Sequence, residues 1–199
     1  MTQTMHDPWV AVRTYHGLPA DQVISALQKE IRRGNVENAV LLAYEMVLTS
    51  PPLEDYLWQR LMVISVEDVG FGEPLAPVLV NALYQMVQTF DRAMGERRLF
   101  AVHAVRYLCG CSKDRSSDEM INWVMRAVAS GQAGAHIPDY ALDMHTAEGR
   151  ARGRGPRHFW TEGTQLVPEL PHRDRSYRER LLAMLDQEEQ AAGTVGQSV

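Results

Sequence analysis

Residues 20–52 read ADQVISALQKEIRRGNVENAVLLAYEMVLTSPP, and this stretch decides the fold. Ala20, Val23, Ile24, Leu27 and Ile31 fall at i, i+3, i+4, i+7 and i+11, the spacing of one face of an α-helix. Pro19 stands where a first-turn proline is tolerated, and Gly34 with Asn35 supplies the stop. A second helix is expected over about 36–49. Val36, Ala39, Val40, Leu41, Leu42, Ala43, Met46, Val47 and Leu48 make it apolar nearly all round, which places it centrally in a bundle. Pro51 and Pro52 end it.

The same period continues outward. Leu53, Leu57, Leu61 and Ile64 predict a third helix over about 53–69, broken by Gly70 and Gly72. A fourth begins near Pro74, with Leu75, Leu79, Ala82, Leu83, Met86 and Phe90 as its inward stripe. Gly95 separates it from a broadly apolar fifth helix, Glu96 to Leu108. Ser116 and Glu119 have capping-box spacing and open a sixth, whose face is Ile121, Val124, Met125 and Val128. Over 136–173 no period is sustained and Gly, Arg and His rise. A last amphipathic helix starts at Ser176, paired with Glu179 in a second capping box, and carries Tyr177, Leu181, Leu182 and Leu185. No segment alternates with period two. The expected fold is therefore all-α, a bundle of about six to eight helices joined by short loops between antiparallel neighbours. The expected segments are an N-terminal arm over 1–15 with Trp9 and Tyr15 as anchors, a bundle over 16–135, a Gly/Arg/His-rich irregular segment over 136–173, a C-terminal helix over 174–190 and a frayed tail over 191–199.

Composition narrows the function. The chain has 199 residues, long enough for one domain with a sizeable core. A net charge of −5 is not the global signature of a nucleic-acid binder, so any DNA contact needs a local basic patch. Cys109 and Cys111 are too close for an ordinary disulfide and too few for a zinc site; they read as small buried hydrophobes in a reducing compartment. Met1 to Trp9 shows no signal-peptide pattern, and no stretch approaches the ~18 apolar residues of a membrane span, so a cytoplasmic protein with no membrane partner is expected. No G-x-x-x-x-G-K-[ST] occurs, hence no phosphate cradle of that type; no ATPase activity and no cofactor are expected.

Two runs resemble a known family. Val23-Ile-Ser-Ala-Leu-Gln-Lys-Glu-Ile-Arg-Arg-Gly-Asn-Val-Glu-Asn-Ala39 is similar to the "ISALHKSIRGSDPDAAL" that opens the C-terminal region of the RarA/MgsA and Werner-helicase-interacting AAA+ ATPases. Arg60-Leu-Met-Val-Ile-Ser-Val-Glu-Asp-Val-Gly70 resembles their "RRLxxxAxEDIG". Gly95-Glu96 and Leu108-Cys-Gly-Cys-Ser-Lys113 sit where the family has "GxPEG" and "YLAxAPKS". The resemblance spans about 16–135, and the Arg/His-rich stretch that follows reads as a replacement of the family's usual C-terminus. It implies a helical bundle like the clamp-loader collar, tetramer formation, and kinship with proteins of stalled replication forks. The expectation is a free-standing, non-catalytic oligomerisation protein: a homotetramer or homodimer, with an AAA+ ATPase or DNA as candidate partners.

Three groups of residues are candidate sites. Glu67 and Asp68 end a helix, where the macrodipole disfavours carboxylates, so a cation from another element is expected; Arg60, Arg98 and Arg106 are candidates, and paired-carboxylate catalysis is the rival reading. Arg150, Arg152, Arg154 and Arg157 alternate with Gly149, Gly153 and Gly155 and precede His158, Phe159 and Trp160. Guanidinium forks match phosphate oxygens and aromatic rings stack on bases, so this segment is either a nucleic-acid or anion contact or a charged loop paired with acidic residues. Asp143, His145, Glu148 and His158 are donors of the right type for a metal-dependent enzyme, without a recognised spacing. Lone His103 reads as a core or interface residue.

Overall fold

A computed structural model describes residues 7–195; the first six residues of the expected arm and the last four of the expected tail lie outside the described residues. The regular secondary structure among those described is all helical apart from an isolated bridge between Arg13 and Pro19. They form two compact units, one running to Ala133 and the other beginning at Gly134.

The first unit holds six long helices: α1 (Ala20–Arg33), α2 (Val36–Thr49), α3 (Pro51–Ile64), α4 (Ala76–Val87), α5 (Glu96–Gly110) and α6 (Ser116–Ala129). In α1 the buried residues are Ala20, Val23, Leu27 and Ile31, as the periodicity requires. Gly34 ends it at φ +74°, and Asn35 N–H returns to the Glu30 carbonyl at 2.9 Å, the left-handed helix stop that glycine favours. Pro51 and Pro52 do more than end α2. They occupy the first positions of α3, behind the Ser50 hydroxyl that accepts the Leu53 N–H. Leu53, Leu57, Trp58, Leu61 and Ile64 of α3 are all fully buried, and this helix is the centre of the core.

Three expectations about faces are corrected. α2 packs against α1, α3 and α5, yet Leu41 is exposed and the buried positions are Ala39, Ala43, Glu45 and Met46. In α4 the buried residues are Ala76, Val80 and Val87, one position on from the expected stripe, while Leu75 and Met86 face out. Leu83 and Tyr84 are half-buried against the core, with the Tyr84 ring 5.9 Å from that of Trp58. In α6 most of the expected face is exposed, Ile121, Met125 and Val128 facing out and Val124 half-buried: among the described residues the helix packs chiefly on residues 65–69 and buries only Ala127.

Helix ends also differ from the sequence reading. The Ser116 capping box does not form; Asp114 Oδ1, two residues upstream, accepts the Ser116 N–H at 2.8 Å. The same Asp-Arg-Ser run recurs before the last helix, where Asp174 Oδ1 accepts the Ser176 N–H at 2.8 Å. Lys113 Nζ donates to the carbonyls of Leu108 (2.8 Å), Cys109 (3.2 Å) and Cys111 (2.5 Å), placing a cation at the negative end of α5. Both cysteines are free, and burial pushes the Cys109 thiol up to about 11. Trp9 of the arm stacks on Tyr56 at 5.1 Å, whereas Tyr15 is exposed; His16 anchors the arm instead, through N–H and Nδ1 contacts to Glu45 at 2.7 and 2.6 Å.

The second unit contains the short helices α7 (Ala147–Ala151) and α8 (Pro156–His158), a wide turn over Phe159–Gly163, and α9 (Ser176–Val195). Local turns thus fill part of the segment that shows no sustained period. The Thr146 hydroxyl caps α7 by accepting the Gly149 N–H at 2.9 Å. Gly149 is pressed on the Asp143 carbonyl, where a Cβ would lie at 1.9 Å. Among the described residues no apolar side chain of this unit is fully buried, so polar contacts carry a large share of its order.

One buried ion pair in the first unit escapes any periodicity argument. Arg97 is 4% exposed; its Nε donates to Glu54 Oε1 at 2.7 Å and its Nη1 to the carbonyls of Val87 (2.8 Å) and Phe90 (3.0 Å). Arg92 Nη1 closes on the other Glu54 oxygen at 3.0 Å. Glu54→Ala strands the buried guanidinium and is expected to cost about 3–5 kcal/mol of unfolding free energy in a urea titration. A loss below about 1 kcal/mol, the worth of an exposed pair, would contradict this reading.

Candidate functional site

The Glu67-Asp68-Val69-Gly70 run is the most connected point of the first unit. α3 widens after Ile64 into a single π-type turn, Ser65–Val69, and a short 3-10 turn follows over Gly70–Gly72. Gly70 has φ +50°, and a Cβ there would lie 2.3 Å from the Asp114 carbonyl oxygen. At Gly72 a Cβ would lie 2.6 Å from the Ser112 oxygen. Asp114 N–H meanwhile donates to the carbonyls of Asp68 (3.0 Å) and Val69 (3.1 Å). Residues 70–72 and 112–114 therefore cross with no room for side chains, which explains the two glycines.

Asp68 is fully buried. Its Oδ1 takes Arg32 Nε and Arg115 Nη1 (2.5 Å), and its Oδ2 takes Gln28 Nε2 at 2.9 Å. Glu67 Oε1 receives Gln28 at 2.9 Å, Arg115 at 3.2 Å and Arg32 at 3.4 Å, while Arg60 stands 4.0 Å from Oε2 and donates to Gln28 Oε1. Arg115 also grips Asp118 Oδ2 at 2.5 Å, in the first turn of α6. The cluster clasps α1, α3, the π turn and the start of α6 together. Of the cations expected from sequence, only Arg60 takes part. Arg98 packs over the Tyr44 ring at 5.8 Å, and Arg106 lines a separate shallow cavity with Val36, His103 and Tyr107. Arg32 and Arg115 do the neutralising.

Burial pushes the Asp68 carboxyl up, but the hydrogen bonds from Arg32, Gln28 and Arg115 outweigh it and hold the group below its ordinary value. A carboxylate kept ionised and saturated with donors is a poor proton acceptor. The geometry favours a structural clasp over paired-carboxylate catalysis.

Beside the clasp, the C-terminal end of α3 and the start of α6 enclose a groove of about 460 Å³, with Met62, Val63 and Val66 on one wall and Ser117, Asp118 and Ile121 on the other. The exposed surface of α6 continues this apolar lining. Met120, Ile121, Trp123, Met125 and Val128 are each more than half exposed, at 52–65%.

The glycine–arginine segment lies in the second unit, and most of its guanidiniums have carboxylate partners there. Arg152 reaches Asp139 at 2.7 Å and Glu148 at 2.9 Å, Arg154 reaches Asp139 at 2.5 Å and the carbonyls of Asp139 and Leu142 at 2.6 and 2.9 Å, and Arg157 pairs with Asp186. Arg150 donates to the Met144 carbonyl at 3.1 Å. This arrangement favours the loop-fixing reading over the nucleic-acid contact. His145 sits edge-on to Phe159, and Phe159 edge-on to Trp160, so the rings pack on one another. Among the described residues no group of three or more His, Cys, Asp or Glu side chains is placed to hold a metal ion; Glu148 is engaged by Arg152 and His145 by Asp143. The metal-dependent alternative around His145, Glu148 and His158 thus has no geometric support.

Asp68→Ala removes the buried carboxylate that Arg32, Arg115 and Gln28 share but leaves the two guanidiniums on Glu67 and Asp118, and is expected to cost about 1–3 kcal/mol in denaturant unfolding. Because the folded-state pKa of Asp68 is depressed, its contribution is complete above the ordinary value of 3.8 and is lost as pH falls through the lowered one. Asp68→Asn should therefore flatten the acid limb of the stability profile below that pH. An unchanged acid limb would show that Asp68 does not couple to folding.

Comparison with known proteins accords with this architecture. A family model, the C-terminal region of MgsA AAA+ ATPases, matches residues 35–165. The match runs past the 16–135 of the sequence resemblance and takes in the glycine–arginine segment, which is family sequence and not a replacement of it. Replication-associated recombination protein A of Bacillus subtilis is 32% identical over 165 residues, covering 78% of this chain and 37% of the relative. An AAA domain-containing protein of Mycobacterium tuberculosis is 30% identical over 135 residues, 66% of this chain and 29% of its own. Replication-associated recombination protein A of Escherichia coli K12 is 31% identical over 124 residues, 62% of this chain and 26% of its own. The chain thus spans little more than a third, at most, of the length of these relatives, and no helix among the described residues is long and apolar enough to cross a membrane. An all-helical bundle closed by the Glu67-Asp68-Val69-Gly70 turn, together with a family match over residues 35–165, establishes that this chain belongs to the MgsA AAA+ ATPase C-terminal family.

Proposed function

We propose that these residues form a non-catalytic oligomerisation and interaction module that serves AAA+ proteins of DNA replication, recombination or repair in the cytoplasm. The observation that carries this reading is the exposed apolar face of α6 beside the groove against α3. A helix with five large exposed apolar side chains and one buried alanine is poorly suited to standing in water, and contiguous patches of this kind usually mark protein interfaces. The replication and recombination setting is taken from the names of the relatives. The occupant is a further copy of the chain, giving a dimer or tetramer; association with a separate AAA+ subunit is compatible with the same surface.

Light scattering at micromolar concentration should give a mass of two or four times 22.5 kDa, and Trp123→Glu with Met125→Glu should reduce it to that of the monomer without unfolding the protein. A parent protein that scatters as a 22.5 kDa monomer would contradict the proposal. Since no Walker A pattern occurs in these residues, calorimetry should detect no stoichiometric ATP site of micromolar affinity. Detection of one would overturn the non-catalytic reading.

A further inference from the structure

The second unit carries a cavity of about 260 Å³ whose lining includes Thr164, Leu166, Glu169, Arg173, Arg175 and Arg178. Its charge is unbalanced. Glu169 is the one carboxylate in that lining, and it takes Arg173 Nη1 on Oε1 at 3.1 Å and Arg175 on Oε2. Arg178 Nη1 has no carboxylate; it donates to the Thr164 hydroxyl at 2.8 Å. The nearby Asp174 carboxylate is turned to the Ser176 N–H. A guanidinium carries five N–H donors in a rigid fork, and here each uses a single Nη among the described residues. Three guanidiniums against Glu169 leave a surplus of two positive charges in the lining, which the neighbouring ionised Asp174 carboxylate reduces to one.

The contrast with the glycine–arginine segment is direct. There, four arginines stand among Asp139, Glu148, Asp186 and Glu189, and the charges balance. The surplus lies instead at Arg173, Arg175 and Arg178, beyond the residues the family model matches. Arg175 and Arg178 flank the start of the 20-residue α9, so the positive end of that helix dipole adds to the same field. Glu169 holds two of the forks at fixed positions, which lowers the ordering cost for an incoming oxyanion.

We propose that this cavity binds a phosphoryl group, with Arg173 and Arg178 donating to its oxygens and Arg175 closing the exposed rim. A planar fork matches phosphate oxygens in pairs, which an ammonium does not. The group comes either from a small free phosphate or from a nucleic-acid backbone, and the two sources are separable.

The test is calorimetric titration of the whole chain at low salt with inorganic pyrophosphate, and separately with a single-stranded oligonucleotide. Saturable binding of either is expected. Arg173→Gln with Arg178→Gln should weaken it by about tenfold or more, the range of a charged hydrogen bond, while circular dichroism shows the fold intact. Arg178→Lys, which keeps the charge and loses the fork, should fall between the two, and it carries the test if the double variant fails to fold. Arg150→Gln with Arg152→Gln should leave binding unchanged. Similar affinity for both probes identifies a small anion. Tighter oligonucleotide binding, with log K falling by about 0.7 per log unit of salt for each phosphate held, identifies a backbone. Failure of both probes to bind, full binding by the Arg178→Lys variant, or loss of binding in the Arg150/Arg152 variant with an unchanged circular dichroism spectrum overturns the assignment.

Discussion

The first unit depends on keeping one carboxylate ionised where no water reaches it. An Asp68 without partners would cost several kilocalories per mole to bury, so its side chain is tolerable only while Arg32, Arg115 and Gln28 all point at it. Those partners come from α1 and from the loop before α6, and each is therefore held in register with the π turn. The close crossing of Gly70 and Gly72 over residues 112–114 adds a backbone constraint in the same place. Removing either device frees the start of α6, because Arg115 is shared between Asp68 and Asp118. The clasp is in this sense the mount on which the exposed helix is carried.

Much of this was legible from periodicity where a single apolar stripe meets a single neighbour. The α1 positions Ala20, Val23, Leu27 and Ile31 and the α3 positions Leu53, Leu57, Leu61 and Ile64 are buried as their spacing requires. On α4, which is apolar on several faces, the stripe is displaced by one position: Ala76, Val80 and Val87 face inward, and apolar spacing alone does not choose between adjacent stripes. The reading slipped on α6 for a different reason, since an apolar face does not say whether its partner lies within the same chain.

The ionic networks were far less legible, because their partners are remote. Arg32 and Arg115 lie 36 and 47 residues from Asp68, and no spacing rule connects them. Arg97 sits in a helix whose composition reads as broadly apolar, and nothing local marks it as the buried partner of Glu54. The glycine–arginine segment also has partners remote in sequence. Its local composition is basic, but Asp139, Glu148, Asp186 and Glu189 stand against its four arginines. Among the described residues of this unit no apolar side chain is fully buried, so such pairs contribute to its order even though exposed pairs are individually weak.

The central claim is that the clasp presents α6 as an interaction surface, and amide hydrogen exchange at low and high protein concentration tests it most directly. Concentration should slow exchange selectively over residues 116–129 and along the groove at 62–66, while the interiors of α1 and α3 stay equally protected at both concentrations. Exchange over 116–129 that is independent of concentration, or protection that appears only on another helix, would contradict the account.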